Sequence, residues 1–145
     1  MKVVVQRARD AEVKVEGKIV GKIESGLMIL VGFTDTDGLE QIKKIAHKVL
    51  NLRIFPDENG VMNKSVLDVG GSILSVSQFT LYGDTKKGNR PSYIKALNGT
   101  EAKKLYELWN EELQKEITVE TGIFGADMDV TLTNVGPTTI LMEIE

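Results

Sequence analysis

Apolar residues recur in two rhythms along the chain. Residues 3–5, then Val13, Val15, Ile19 and Ile23, suggest strands, and from Glu12 onward polar and apolar positions alternate, the period of a half-buried strand. Glu16-Gly17-Lys18 stands between two such runs and predicts a hairpin turn, because glycine takes positive φ cheaply. Residues 27–31, bounded by Gly26 and Gly32, are continuously apolar and predict a central strand. The spacing then becomes helical. Leu39, Ile42, Ala46, Val49 and Leu50 share one face, Asp37 with Glu40 forms an N-terminal cap, and the helix ends near Leu52. Residues 56–60 are a turn cluster, and Gly70-Gly71 breaks the chain before a strand over residues 73–81. Residues 83–98 read as a long loop. Asn98 with Glu101 caps a second helix, whose apolar face is Ala102, Leu105, Leu108, Trp109 and Leu113. Strand-like runs at 117–121, 128–135 and 139–144 close the chain.

The resulting order, β-β-β-α-β-α-β-β-β, predicts an α+β fold with a largely antiparallel, barrel-like sheet and two main helices. With 145 residues and no linker, repeat or low-complexity stretch, a single domain over residues 1–145 is expected. No apolar run approaches the roughly 20 residues that span a bilayer, and the N-terminal run is too short for a signal peptide. A soluble, cytoplasmic protein without a membrane partner is the expectation.

Charge and composition narrow the chemistry. A net charge of −3 argues against a polyanion binder that works by bulk charge, though a local basic patch stays open. The absence of cysteine removes disulfides, thiolate zinc ligands and cysteine nucleophiles. His47 is the only histidine and falls on the first helix among lysines, so neither a metal site nor a histidine-based triad is expected. No glycine-rich stretch follows a strand and opens a helix, and no cofactor is predicted.

Three segments remain as candidates. Ser77-Gln78-Phe79-Thr80 ends an apolar strand, where backbone N–H groups and hydroxyls could converge on a reacting carbonyl; alone, it reads as a structural strand end. Gly136-Pro137 interrupts two strand-like runs and alone reads as a turn. Lys86, Lys87, Arg90 and Lys95 cluster on the 83–98 loop against one acid, Asp84. That loop is either a solvated surface or a phosphate contact.

Taken together, Ser77-Gln78-Phe79-Thr80 and Asn134-Val135-Gly136-Pro137-Thr138-Thr139 resemble the paired signatures of the D-aminoacyl-tRNA deacylases, Ser-Gln-Phe-Thr and Asn-x-Gly-Pro-x-Thr. The likeness extends through Val5-Gln6-Arg7, Arg53-Ile54-Phe55, the segment 87–92 and the segment 121–128. Tyr93 stands where the family pattern leads one to expect Phe. The resemblance implies hydrolysis of the ester joining a D-amino acid to the 3′-terminal adenosine of tRNA, in chiral proofreading of translation. It implies a homodimer in which a cis Gly136-Pro137 loop reaches the partner's pocket and rejects L-residues; glycine would escape that rejection. Ser77, Gln78, Phe79 and Thr80 are the implied catalytic set, with amides near Phe79 and Thr80 as oxyanion donors and Phe79 beside the adenosine. Thr80 is either a nucleophile or a spectator to a water activated by the ribose 2′-OH.

Arg7, Asn134 and Thr139 are carried over as motif support and Met128 as a pocket or core residue. Lys86, Lys87 and Arg90 are candidate tRNA contacts, and no DNA partner is implied. Competing readings are a sister deacylase acting on L-alanyl-tRNA(Thr), a non-catalytic RNA-binding module, and a small-molecule esterase. Gly136 directly before Pro137 speaks against the first.

Overall fold

The computed structural model describes residues 1–144. Strands β1 (Lys2–Val15) and β2 (Lys18–Gly32) form a long antiparallel hairpin. Its turn residues Glu16 and Gly17 both have positive φ, 51° and 78°, the conformation that lets a two-residue turn follow strand twist. Next come α1 (Leu39–Asn51), a small hairpin of β3 (Phe55–Pro56) and β4 (Met62–Lys64), and β5 (Ser72–Ser77). A 3₁₀ turn (Phe79–Tyr82), α2 (Gly99–Gln114), β6 (Val119–Thr121) and β7 (Asp129–Glu143) complete the order.

The main sheet runs β6-β5-β2-β1-β7. It is mixed: β1 is antiparallel to β2 and β7, whereas β5 is parallel to β2 and β6. The long ladders are antiparallel and the short ones parallel, so the class is α+β as expected, with β7 and β6 at the edges. No helix among the described residues is long and apolar enough to cross a membrane.

Several local expectations are corrected. The separate N-terminal runs belong to two continuous strands, and side-chain alternation changes phase within both. Val3, Val5, Leu27, Ile29 and Val31 face the helices, but Ala11, Val13 and Ile23 join a second cluster. The change falls at Asp10 in β1 (φ 49°) and near Gly26 in β2 (φ 143°). A Cβ on Gly26 would lie 1.8 Å from the Ser72 carbonyl oxygen, so glycine here permits β5 to pair rather than ending β2.

The expected strand over 73–81 stops at Ser77. The Gln78 N–H makes a last bond to the Val31 carbonyl (2.7 Å), after which the chain coils. The runs 128–135 and 139–144 are one strand, β7, with Gly136-Pro137 inside it. Asp37 does not cap α1. Its carboxylate instead holds the buried Met1 ammonium (2.8 Å) and the Thr34 N–H (2.8 Å), while Gly38 is the N-cap and donates its N–H to Gln41 Oε1. Leu39 and Leu108 are exposed, and Tyr106 takes the buried place on α2.

The helices cover one sheet face. Trp109 and Leu113 of α2 and Ile42, Val49 and Leu50 of α1 are sealed against Val3, Val5, Leu27 and Ile29. Asn98 starts α2 as expected, its side chain accepting the Glu101 N–H at 3.1 Å. Tyr106 reaches through the core to donate its hydroxyl to the Ser75 carbonyl (2.7 Å), tying α2 to the strand that delivers the Ser77 segment.

Candidate active site

A pocket of about 620 Å³ opens where β5 ends. Residues 31–33 at the end of β2 and 76–79 form part of its wall. Tyr93, Leu97 and the first turn of α2 add a second part, and the stretch 124–128 with Val130 adds a third. The close approach of the two strand ends depends on Gly32, since a Cβ there would sit 2.8 Å from the Gln78 carbonyl oxygen. The first internal bond of the 3₁₀ turn is Leu81 N–H to Gln78 O (3.3 Å). The amides of Phe79 and Thr80 precede it, so they have no carbonyl of the turn to bind.

Ser77, Gln78, Phe79 and Met128 all line this one pocket. Thr80 does not share that wall. It is exposed, and its Oγ1 accepts from Gln78 Nε2. Among the described residues the pocket wall has no His, Lys or Arg, and its one acid is Asp127. His47 lies exposed on α1 beside Asn51. Among the described residues no group of three or more His, Cys, Asp or Glu is arranged to hold a metal.

A second locus forms around Gly136-Pro137, whose peptide bond is cis. Gln6 pairs with Thr139 and Ala8 with Asn134, so the four residues 135–138 stand opposite Arg7 alone. The excursion is pinned at both ends. Asn134 Oδ1 accepts the Thr138 N–H (2.7 Å), and its Nδ2 donates to Thr139 Oγ1 (2.8 Å) and Gln6 Oε1 (3.3 Å). Arg7 donates Nε to the Val135 carbonyl (3.0 Å) and Nη1 to the Ile54 carbonyl (2.7 Å). Gly136 has φ 123°, and a Cβ there would lie 2.6 Å from Thr138 Oγ1 and 2.9 Å from Arg7 Nη2. Gly136 and Pro137 are exposed and do not line the pocket. Within one chain the two loci stay apart.

The sequence model of the family described as "D-Tyr-tRNA(Tyr) deacylase" matches residues 4–143. The chain belongs to this family. The "D-aminoacyl-tRNA deacylase" of Anoxybacillus flavithermus is 58% identical over 144 residues, covering 99% of each chain. That of Bacillus velezensis is 58% identical, over 99% of this chain and 98% of its own. Among solved structures, "c-Myc DNA Unwinding Element Binding Protein" superposes with a TM-score of 0.95 at 39% identity, covering 100% of this chain and 99% of its own. A structure described as a probable eukaryotic D-amino acid tRNA deacylase gives 0.84 at 19% identity, over 99% and 98%, a likeness of fold. As a member of a deacylase family the chain is an enzyme, an aminoacyl-tRNA ester hydrolase.

Within this deacylase, sequence reasoning missed much of the pocket wall. Tyr93 was visible only as a departure from the family pattern, and Asp127 only as part of a matching run. Lys86, Lys87 and Arg90 are exposed on the loop above Tyr93's segment and do not line the pocket. The base of that loop is pinned by paired Asp84 and Ser92 backbone bonds of 2.8 and 2.9 Å.

Proposed function

We propose that this deacylase hydrolyses the ester between a D-amino acid and the 3′-terminal adenosine of tRNA, releasing both. The observation that carries the mechanism is a strand-end pocket flanked by two amides without a turn partner, at a wall without histidine or lysine. A tetrahedral oxyanion in that position would receive the N–H groups of Phe79 and Thr80, which need no reorganisation as charge develops. Water is the nucleophile, and its proton is taken with the help of the ribose 2′-OH of the substrate itself. Thr80 is a spectator in this scheme. A threonine hydroxyl needs an adjacent base to attack, and here its oxygen is engaged by Gln78. Phe79 and Met128 hold the terminal adenosine, and the cations at 86, 87 and 90 approach tRNA phosphates.

Selection of handedness falls to Gly136-Pro137 of a second copy of the chain. The exposed loop, its separation from the pocket within one chain, and its place on an edge strand support this arrangement. With Gly136 lacking a side chain, main-chain atoms can approach the α-carbon substituents closely, so an L side chain collides with the loop while a D side chain points away. Glycine has no side chain to collide and is cleaved as well. Arg7, Asn134 and Thr139 hold the loop in shape.

Deacylation of D-tyrosyl-, L-tyrosyl- and glycyl-tRNA with a chelator present tests this reading. Turnover of the D- and glycyl-esters with the L-ester spared is expected. Equal turnover of both hands, or cleavage of L-alanyl-tRNA(Thr) in preference to the D-ester, would overturn it.

A further inference from the structure

We propose that Tyr93 is a stacking platform for the nucleotide preceding the terminal adenosine in the single-stranded 3′ end. This rests on the assignment of the pocket to that adenosine.

Three large apolar side chains are exposed around the pocket mouth and its adjoining loop: Phe79 at 57%, Tyr93 at 40% and Ile94 at 86%. Phe79 and Tyr93 both line the pocket and meet edge to face, with centroids 5.0 Å apart and planes at 68°. Such a corner places two ring surfaces at an angle, one for a base inside the pocket and one for a base leaving it. Tyr93 is also held in position. Gly83 lies beneath the ring, where a Cβ would come within 3.1 Å of Tyr93 Cε1. The Asp84 and Ser92 backbone bonds fix the loop immediately before it, and the Ala96 N–H bonds back to the Tyr93 carbonyl (3.0 Å).

The surrounding charge identifies the occupant. Lys86, Lys87, Arg90 and Lys95 are exposed on the same loop, while Asp84 accepts the Lys86 N–H at 2.9 Å. An exposed aromatic ring flanked by cations suits a strand with planar bases on a phosphate backbone. It suits an apolar peptide poorly, since the cations would lose hydration without a partner. Tyr93 is thus a positioning residue: it fixes where the 3′ end leaves the pocket and has no part in the bond changes.

The test uses two non-hydrolysable probes, 3′-deoxy-3′-(D-tyrosylamino)adenosine and the same compound extended 5′ by cytidylate. Their Kd values are measured by titration calorimetry on the full chain, the Tyr93→Ala variant and the Tyr93→Phe variant. The extended probe should bind the unaltered protein about 5- to 150-fold more tightly than the mononucleoside. Tyr93→Ala should erase that gain by weakening the extended probe more than the mononucleoside, so that the two Kd values converge, and Tyr93→Phe should restore the difference. No gain in the unaltered protein, a gain that survives Tyr93→Ala, or an equal loss for both probes would overturn the inference. Failure of the mononucleoside to bind the unaltered protein would overturn the pocket assignment beneath it.

Discussion

Asn134 and Gly136 show how single residues keep a loop open inside a strand. The Asn134 side chain bonds across the excursion, from its near end to Thr138 N–H and Thr139 Oγ1 at its far end, and the ladder with β1 resumes at Thr139. Gly136 is required by space as well as by φ. An added methyl meets Thr138 and the Arg7 guanidinium within 3 Å, and both neighbours are tied into the loop. Gly136→Ala should therefore lower stability by about 1–3 kcal/mol and reduce kcat/KM on D-tyrosyl-tRNA at least about tenfold. Urea melts paired with deacylation rates check both effects, and unchanged activity per folded molecule would reduce the loop to a structural turn. Thr80 makes the opposite prediction. Thr80→Ala should stay within about tenfold of the unaltered kcat, whereas removal of a true nucleophile costs about 10⁴-fold or more. Single-turnover deacylation distinguishes the two.

At the scale of elements, Tyr106 links the stability of α2 to the pocket. Its hydroxyl bonds to Ser75 of β5, and its ring lies 6.0 Å from that of Phe124 on the pocket wall. Burial raises the phenol above its ordinary 10.0, outweighing hydrogen bonds that act in the other direction. The folded state therefore keeps Tyr106 protonated, while the unfolded chain ionises it above about pH 10. The stability that follows from this difference is fully present below pH 10 and is lost as pH rises past it. Urea midpoints from pH 7 to 11 should show a decline above pH 10 that is weaker in Tyr106→Phe. That variant should also be less stable throughout by about 1 kcal/mol, for the lost hydrogen bond.

Elements whose signals are local were legible in the sequence. The Glu16-Gly17 turn, the Asn98 cap and the end of α1 near Leu52 depend on residues adjacent in the chain, and they stand where expected. Signals opposed by long-range pairing were misread. Gly26 and Gly136-Pro137 look like breaks, yet each lies inside a strand because its neighbours pair across the sheet. Phe79 and Leu81 favour strand by propensity, but the ladder between β2 and β5 ends at the Val31–Ser77 pair, and the chain coils instead. The pocket wall was the least legible feature. Tyr93, Leu97 and the 124–128 stretch acquire their place only when β5, α2 and β7 are assembled.

The whole molecule presents a division that one chain does not resolve. The pocket lies at the adjacent ends of β5 and β2, inside the sheet, whereas Gly136-Pro137 lies on the edge strand β7. An edge strand with exposed apolar side chains such as Leu141 (66%) is a surface that proteins ordinarily cover or pair. A second copy would cover it and bring the loop to the pocket it lacks. Mixed dimers test this most directly. One chain carries Phe79→Asp, which places a negative charge in the pocket proposed for the adenosine; the other carries Gly136→Val, which blocks the loop. Each variant alone should be inactive on D-tyrosyl-tRNA. The purified heterodimer should regain about half of the unaltered activity, because one of its two sites joins an intact pocket to an intact loop. A heterodimer as inactive as its parents would mean that pocket and loop act within a single chain, and would contradict the cross-subunit site.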